Sequence, residues 1–181
     1  FRRLRLQFIT IASLAILFIL VFTVGIINTV RSFQTEQEIS KVLNTLTENN
    51  GSFGKTKKIE TNQGHEIPSD SFRFFSVTLS GDKVVSQDTS HTSLIDDEEA
   101  VSYALAASRM TNTLGTIRDK NINLSYQVSK VSKDKILVVF LDTTSYYNSS
   151  QALLSLSILL SLFGFIFFVV IVSALSGIVI R

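Results

Sequence analysis

Apolar and polar positions alternate in three regimes along this chain. Residues 8–30 form an unbroken run of 23 residues without a charge. As a helix the run extends about 34 Å, enough to cross a hydrocarbon layer of about 30 Å. Residues 152–180 form a second uncharged run of 29 residues. As one helix it extends about 43 Å, so it must tilt or reach into the headgroups. The segment between the runs mixes short apolar stripes with polar stretches, as a folded domain does. The pattern therefore predicts two membrane helices, residues 8–30 and 151–180, on either side of one domain at 31–150. A cleaved leader is the alternative for the first run. Its apolar part is too long, and Thr23-Val24-Gly25 makes a poor cleavage site.

Within the middle segment, Phe33, Ile39, Val42, Leu43 and Leu46 fall near helical spacing. No proline or glycine lies between Gly25 and Gly51, so residues 31–49 are predicted to continue the first span as one helix, ended by Asn49-Asn50-Gly51. Residues 51–70 are polar, hold the one proline, Pro68, and read as a loop. Phe72-Arg73-Phe74-Phe75-Ser76-Val77-Thr78-Leu79 reads as a strand, Ser80-Gly81-Asp82 as a turn, and residues 83–88 as its hairpin partner. Asp96, Asp97, Glu98 and Glu99 crowd the start of a helix running to about Met110, where the helix dipole favours negative charge. Gly115 is read as a break. Strands follow near 123–131 and 135–142, joined by Ser132-Lys133-Asp134. The order is helix, two strands, helix, then two or three strands. It predicts an α+β domain, a small antiparallel sheet backed by helices. Tyr146 and Tyr147 suit a membrane interface just before the second span.

Charge fixes an expected orientation. Arg2, Arg3, Arg5 and Arg181 lie outside 31–150, whereas all 15 acidic residues lie inside it with the other 13 basic ones, so that segment carries a formal charge of −2. Neither a basic stripe nor interleaved aromatics point to nucleic acid. Residues 1–7 form a basic flank, which places the amino terminus in the cytoplasm and residues 31–150 outside, with Arg181 beginning a cytoplasmic linker. Cysteine is absent, so no disulfide helps to hold an exported domain. The chain starts at Phe1 and stops one residue past its second apolar run, and it reads as a piece of a longer protein.

Candidate chemistry is sparse. His65-Glu66-Ile67-Pro68 places a histidine and a glutamate before a proline, but in a loop, where a solvated histidine is the ordinary reading. His91 follows Asp88-Thr89-Ser90 and could touch a ligand or sense pH. Arg73 and Asp88, on neighbouring hairpin strands, are candidate polar pocket residues, with a surface salt bridge as the plainer alternative. The acidic run could bind a cation, or simply complement the helix dipole. Two distant histidines and no cysteine give no transition-metal site. No catalytic constellation is expected. In the second span Ser157 and Ser161, and then Ser173 and Gly177, stand four apart, a spacing that lets membrane helices approach closely. Neither span holds an ionisable residue of the kind used in transport.

These features together resemble a known family. Phe1-Arg2-Arg3-Leu4-Arg5 leads into the first span. Phe72-Arg73-Phe74-Phe75-Ser76-Val77 and Gly81-Asp82-Lys83-Val84-Val85 form the hairpin. Asp88-Thr89-Ser90-His91, Glu98-Glu99-Ala100 and Ile136-Leu137-Val138-Val139-Phe140-Leu141-Asp142 follow in order. The chain is similar to the amino-terminal half of a Gram-positive bacterial sensor histidine kinase. Asp119-Lys120-Asn121 departs from the aromatic-basic pair common there. The resemblance implies a homodimer in the cell membrane with a PAS-like or Cache-like outer domain. It also implies a kinase domain after Arg181 that uses ATP and Mg, autophosphorylates on histidine and passes the phosphoryl group to a response regulator.

Three functions are carried forward. The first is signal input to such a kinase, with an extracellular ligand or partner protein not identified by the sequence. The second is a receptor with a chemotaxis or cyclic-dinucleotide output. The third is a two-pass accessory protein that does not signal.

Overall fold

In a computed structural model, residues 2–55, 58–60, 64, 66–119 and 121–179 are described. Contacts divide the chain into two units, Phe1–Phe33 with Asn148–Arg181, and Gln34–Tyr147. Helix α1 spans Arg2–Glu48 and supplies residues to both.

In the first unit, α1 and helix α3 (Thr144–Val179) are long and apolar enough to cross a membrane. Their apolar surface lies open: Leu14, Phe18, Leu160 and Phe167 are each about two-thirds exposed or more. In water such a surface is unfavourable by roughly 25 cal/mol per Å². Lipid, or another helix, removes that cost.

The second unit is built on a five-stranded antiparallel sheet of β3 (Phe74–Ser80), β4 (Lys83–Asp88), β5 (Leu114–Asp119), β6 (Ile122–Lys130) and β7 (Ile136–Asp142), in the order β4-β3-β7-β6-β5. β3 and β7 pair from Phe74↔Leu141 to Leu79↔Ile136 and form its centre. β7 is buried on both faces, which explains why 136–141 reads as a continuous apolar run rather than an alternating one. The architecture is α+β, with the two long apolar helices at its ends.

Each face of the sheet carries its own core. On one face Phe74, Leu137, Val139 and Leu141 meet Ile39, Val42, Leu43 and Leu46 of α1. Those α1 positions fall at i, i+3, i+4 and i+7, so one stripe of the helix is apolar and buried. On the other face Phe75, Val77, Val138, Phe140, Leu124 and Tyr126 meet helix α2 (Asp97–Ser108) through Ala100, Ala104 and Ala107. Three alanines at full burial let α2 approach closely over Phe75 and Phe140, whose rings stack at 4.6 Å.

Local chemistry sets the ends of these elements. Asp96 caps α2, its carboxylate accepting from the Glu99 amide at 2.8 Å. α1 stops where Asn50 and Gly51 take positive φ of 55° and 86°. There the Gly51 amide donates to the Leu46 carbonyl at 2.7 Å.

Two expectations need correction. The stretch 51–70 is not all loop, because β1 (Lys58–Glu60) pairs with β2 (Glu66–Pro68), and Ile59 enters the α1-side core. Gly115 does not break the chain but lies inside β5, opposite Tyr126. A side chain there would collide with the Tyr126 hydroxyl, so the glycine marks a close approach rather than a turn.

Candidate functional site

The three polar positions singled out above fall around one end of β3 and the loop after β4. Asp88 Oδ1 accepts from the Ser90 amide at 3.0 Å and the Ser90 hydroxyl at 2.6 Å. The Ser90 hydroxyl bond, then the amide bond, hold its carboxyl below the usual range, with the His91 charge a smaller contribution. The carboxylate thus closes its own turn. His91 lays its ring on Phe74, centroids 4.4 Å apart and planes 15° from parallel. Phe74 in turn meets Phe53 edge-on at 5.0 Å. Arg73 is exposed, and among the described residues its engaged group is the backbone carbonyl, which accepts from the Asp142 amide at 2.9 Å. Neither Arg73 nor Asp88 forms an ion pair with another described residue. His65 lies outside the described residues.

The acidic run belongs to the α2 terminus: Asp97 accepts from the Thr89 hydroxyl at 2.7 Å, beside the Asp96 cap. Among the described residues no three His, Asp or Glu side chains are grouped as for a metal ion.

More organised chemistry is found where the sheet meets the segments that continue into the long helices. Three contacts hold the start of α3. Asp142, two residues ahead of it, accepts from the Thr144 amide at 2.9 Å. The Thr144 hydroxyl accepts from the Asn123 amide at 2.9 Å, and the Arg118 guanidinium stands 5.5 Å from the centre of the Tyr147 ring. Beside them runs a chain of hydroxyls, Thr116 to Ser125 at 3.2 Å and Ser125 to Thr143 at 3.1 Å. It ends as Thr143 donates to the Asn123 carbonyl at 3.0 Å. Ser125 and Thr143 are buried, where a hydroxyl without a partner would be costly, and this chain satisfies both.

On the α1 side, the Gln127 amide donates to Asn44 Oδ1 at 2.8 Å, and the Lys41 ammonium reaches the Glu60 carbonyl. Tyr146, at the start of α3, packs with Ile67 against the α1-side core. None of these pairs is near in sequence. Only the register of β6 and β7 brings Gln127 and Thr143 to the face that α1 covers.

In the first unit, Ser157, Ser161 and Ser173 are partly covered on α3, and Gly177 lies in the helix where no side chain is described. Ser157 lines a cavity together with Val24 and Asn28 of α1, so it faces the other helix of its own chain. No family model and no curated protein matches this chain.

Proposed function

We propose that this chain is the signal-input part of a membrane receptor, and that the receptor is a sensor histidine kinase. In this reading residues 34–147 form a PAS-like or Cache-like outer domain. The amino terminus lies in the cytoplasm. The kinase that follows uses ATP and Mg to phosphorylate its own histidine and then a response regulator.

One observation carries the proposal. The segments leading into both apolar helices are structural parts of the domain rather than tethers. Residues 39–46 of α1 form one wall of a core, and the first turn of α3 is fastened to β5 and β6. A ligand that favours one arrangement of the sheet against α1 would bias the helices that continue from it. The size of that bias is bounded by the ligand's difference in affinity for the two states. The five-stranded antiparallel sheet with a helix on each face supports the PAS-like or Cache-like reading. The orientation rests on Arg2, Arg3 and Arg5 ahead of the first apolar run.

The test is phosphorylation of the full-length protein in liposomes with ATP and Mg. Deletion of 34–147, or disruption of the Asn44–Gln127 contact, is expected to change the rate of histidine phosphorylation. Equal rates in all forms count against an input role. Absence of phosphohistidine with retained response to attractants or cyclic-dinucleotide synthesis would assign another output.

A further inference from the structure

The first unit contains a cavity of about 70 Å³ between α1 and α3. That is several times the about 10–15 Å³ that one water needs, and room for a small polyatomic group. Its walls carry several polar side chains. Asn28 and Arg31 of α1 and Ser150 and Ser157 of α3 all line it, beside apolar Val24 and Leu154. None of these four polar side chains forms a hydrogen bond or ion pair with another described residue. Asn28, Ser150 and Ser157 are half-buried and Arg31 is exposed, so their polar atoms stand open to whatever fills or covers the cavity.

Position and charge narrow the occupant. Arg31 is the first charged residue after the uncharged run 8–30, and Ser150 lies just ahead of the run 152–180. In a chain that spans the bilayer, those positions stand at the level of the lipid headgroups. Arginine offers a planar fork that matches a phosphate, and serine and asparagine add donors for further oxygens. Among the described residues no carboxylate lines the cavity, so an ammonium headgroup finds no counter-charge from them. We infer that this cavity binds the phosphodiester headgroup of an anionic glycerophospholipid. Arg31 contacts the phosphate, while Asn28 and Ser150 donate to its oxygens or to headgroup hydroxyls. The inference rests on the two helices being in lipid, and on nothing about the output of the receptor.

The test uses the whole chain in nanodiscs of phosphatidylcholine with a minor fraction of phosphatidylglycerol. Native mass spectrometry after release into mild detergent counts the lipids retained and the copies of the chain. Phosphatidylglycerol is expected to be retained in preference to phosphatidylcholine. Arg31→Gln is expected to lower that retention about tenfold, as loss of a charge-assisted contact does. Arg31→Lys should keep most of it, and Ser157→Leu, which fills the cavity with apolar atoms, should lower it as Arg31→Gln does. Arg3→Gln, in the basic flank, should leave it unchanged. Equal loss in Arg3→Gln and Arg31→Gln would mean diffuse attraction to negative lipid and overturns the proposal. So would displacement of the lipid by millimolar inorganic phosphate, which would make the site one for the free anion. A change in copy number with unchanged lipid would assign the cavity to a contact between copies, and also overturns it. Carbonate extraction separates the premises: a chain that leaves the membrane refutes the spanning reading itself. A chain that stays and selects no lipid refutes only the cavity proposal.

Discussion

The side-chain amide of Gln127 on β6 donates to the Asn44 amide oxygen of α1 at 2.8 Å, joining residues 83 positions apart. The other end of Gln127 is enclosed, its Oε1 buried without a partner. The bond itself is open to solvent, so water can replace Asn44 at the Gln127 NH2 group. Asn44→Ala is expected to destabilise the chain by about 0.5–1.5 kcal/mol, the net worth of one ordinary hydrogen bond. Gln127→Leu, which removes the buried polar atoms together with the bond, should cost less. A double-mutant cycle followed by denaturant unfolding should give a coupling of about 0.5–1.5 kcal/mol between the two. A coupling of zero would remove this contact from the link between helix and sheet.

Leu43 is fully buried between α1 and the sheet, whereas Leu94 is about half exposed. Leu43→Ala should destabilise by about 2–5 kcal/mol, the transfer cost of the lost methyl groups plus the cavity left behind. Leu94→Ala should change stability by about 0.5 kcal/mol or less. Thermal unfolding of the two variants side by side checks the assignment of the α1 stripe as core.

Gly115 and Gly164 predict opposite outcomes for the same substitution. A Cβ on Gly115 would stand 2.5 Å from the Tyr126 hydroxyl oxygen, while nothing lies within 4 Å of one on Gly164. Gly115→Ala is expected to cost about 1–3 kcal/mol through displacement of a buried ring. Gly164→Ala, in a helix with open space, is expected to be neutral or slightly stabilising. Circular-dichroism melts of the two variants measure the contrast.

The Tyr103 hydroxyl donates to Asp119 Oδ2 at 2.8 Å. Its pKa is pushed up to about 12, first by burial, then by the bond to Asp119 and by the charges of Asp119 and Glu99. An unfolded tyrosine ionises near about 10, so the folded state holds this proton more tightly. The stability from this group is whole below about pH 10 and is lost as pH rises toward about 12. Tyr103→Phe should therefore flatten the fall in unfolding free energy over that interval. It should not abolish it, because burial also raises Tyr126. An identical slope in the variant would show that neither burial nor the Asp119 contact raises Tyr103 in solution.

The proposed orientation has a direct check, because the chain has no native cysteine. Ser86 is exposed on the edge strand β4. A Ser86→Cys variant in intact cells should react with a membrane-impermeant maleimide added from outside. Labelling only after the cells are opened would invert the topology.

By itself the sequence determined the coarse plan. Two uncharged runs of sufficient length declare themselves as membrane-competent helices, because hydrocarbon thickness and helical rise depend on nothing else in the chain. The stripe Ile39, Val42, Leu43 and Leu46 and the acidic start of α2 were equally legible, because periodicity and helix-end chemistry are local. Gly115 was misread for the same reason: its glycine reflects the Tyr126 ring on another strand, which no local pattern records. Only the tertiary structure decided the strand order β4-β3-β7-β6-β5, the pairing of Gln127 with Asn44, and the stack of His91 on Phe74. The cavity between Asn28, Arg31, Ser150 and Ser157 has the same origin. A polar side chain acquires its role from the partner that chain folding sets opposite it, and that partner here lies tens of residues away.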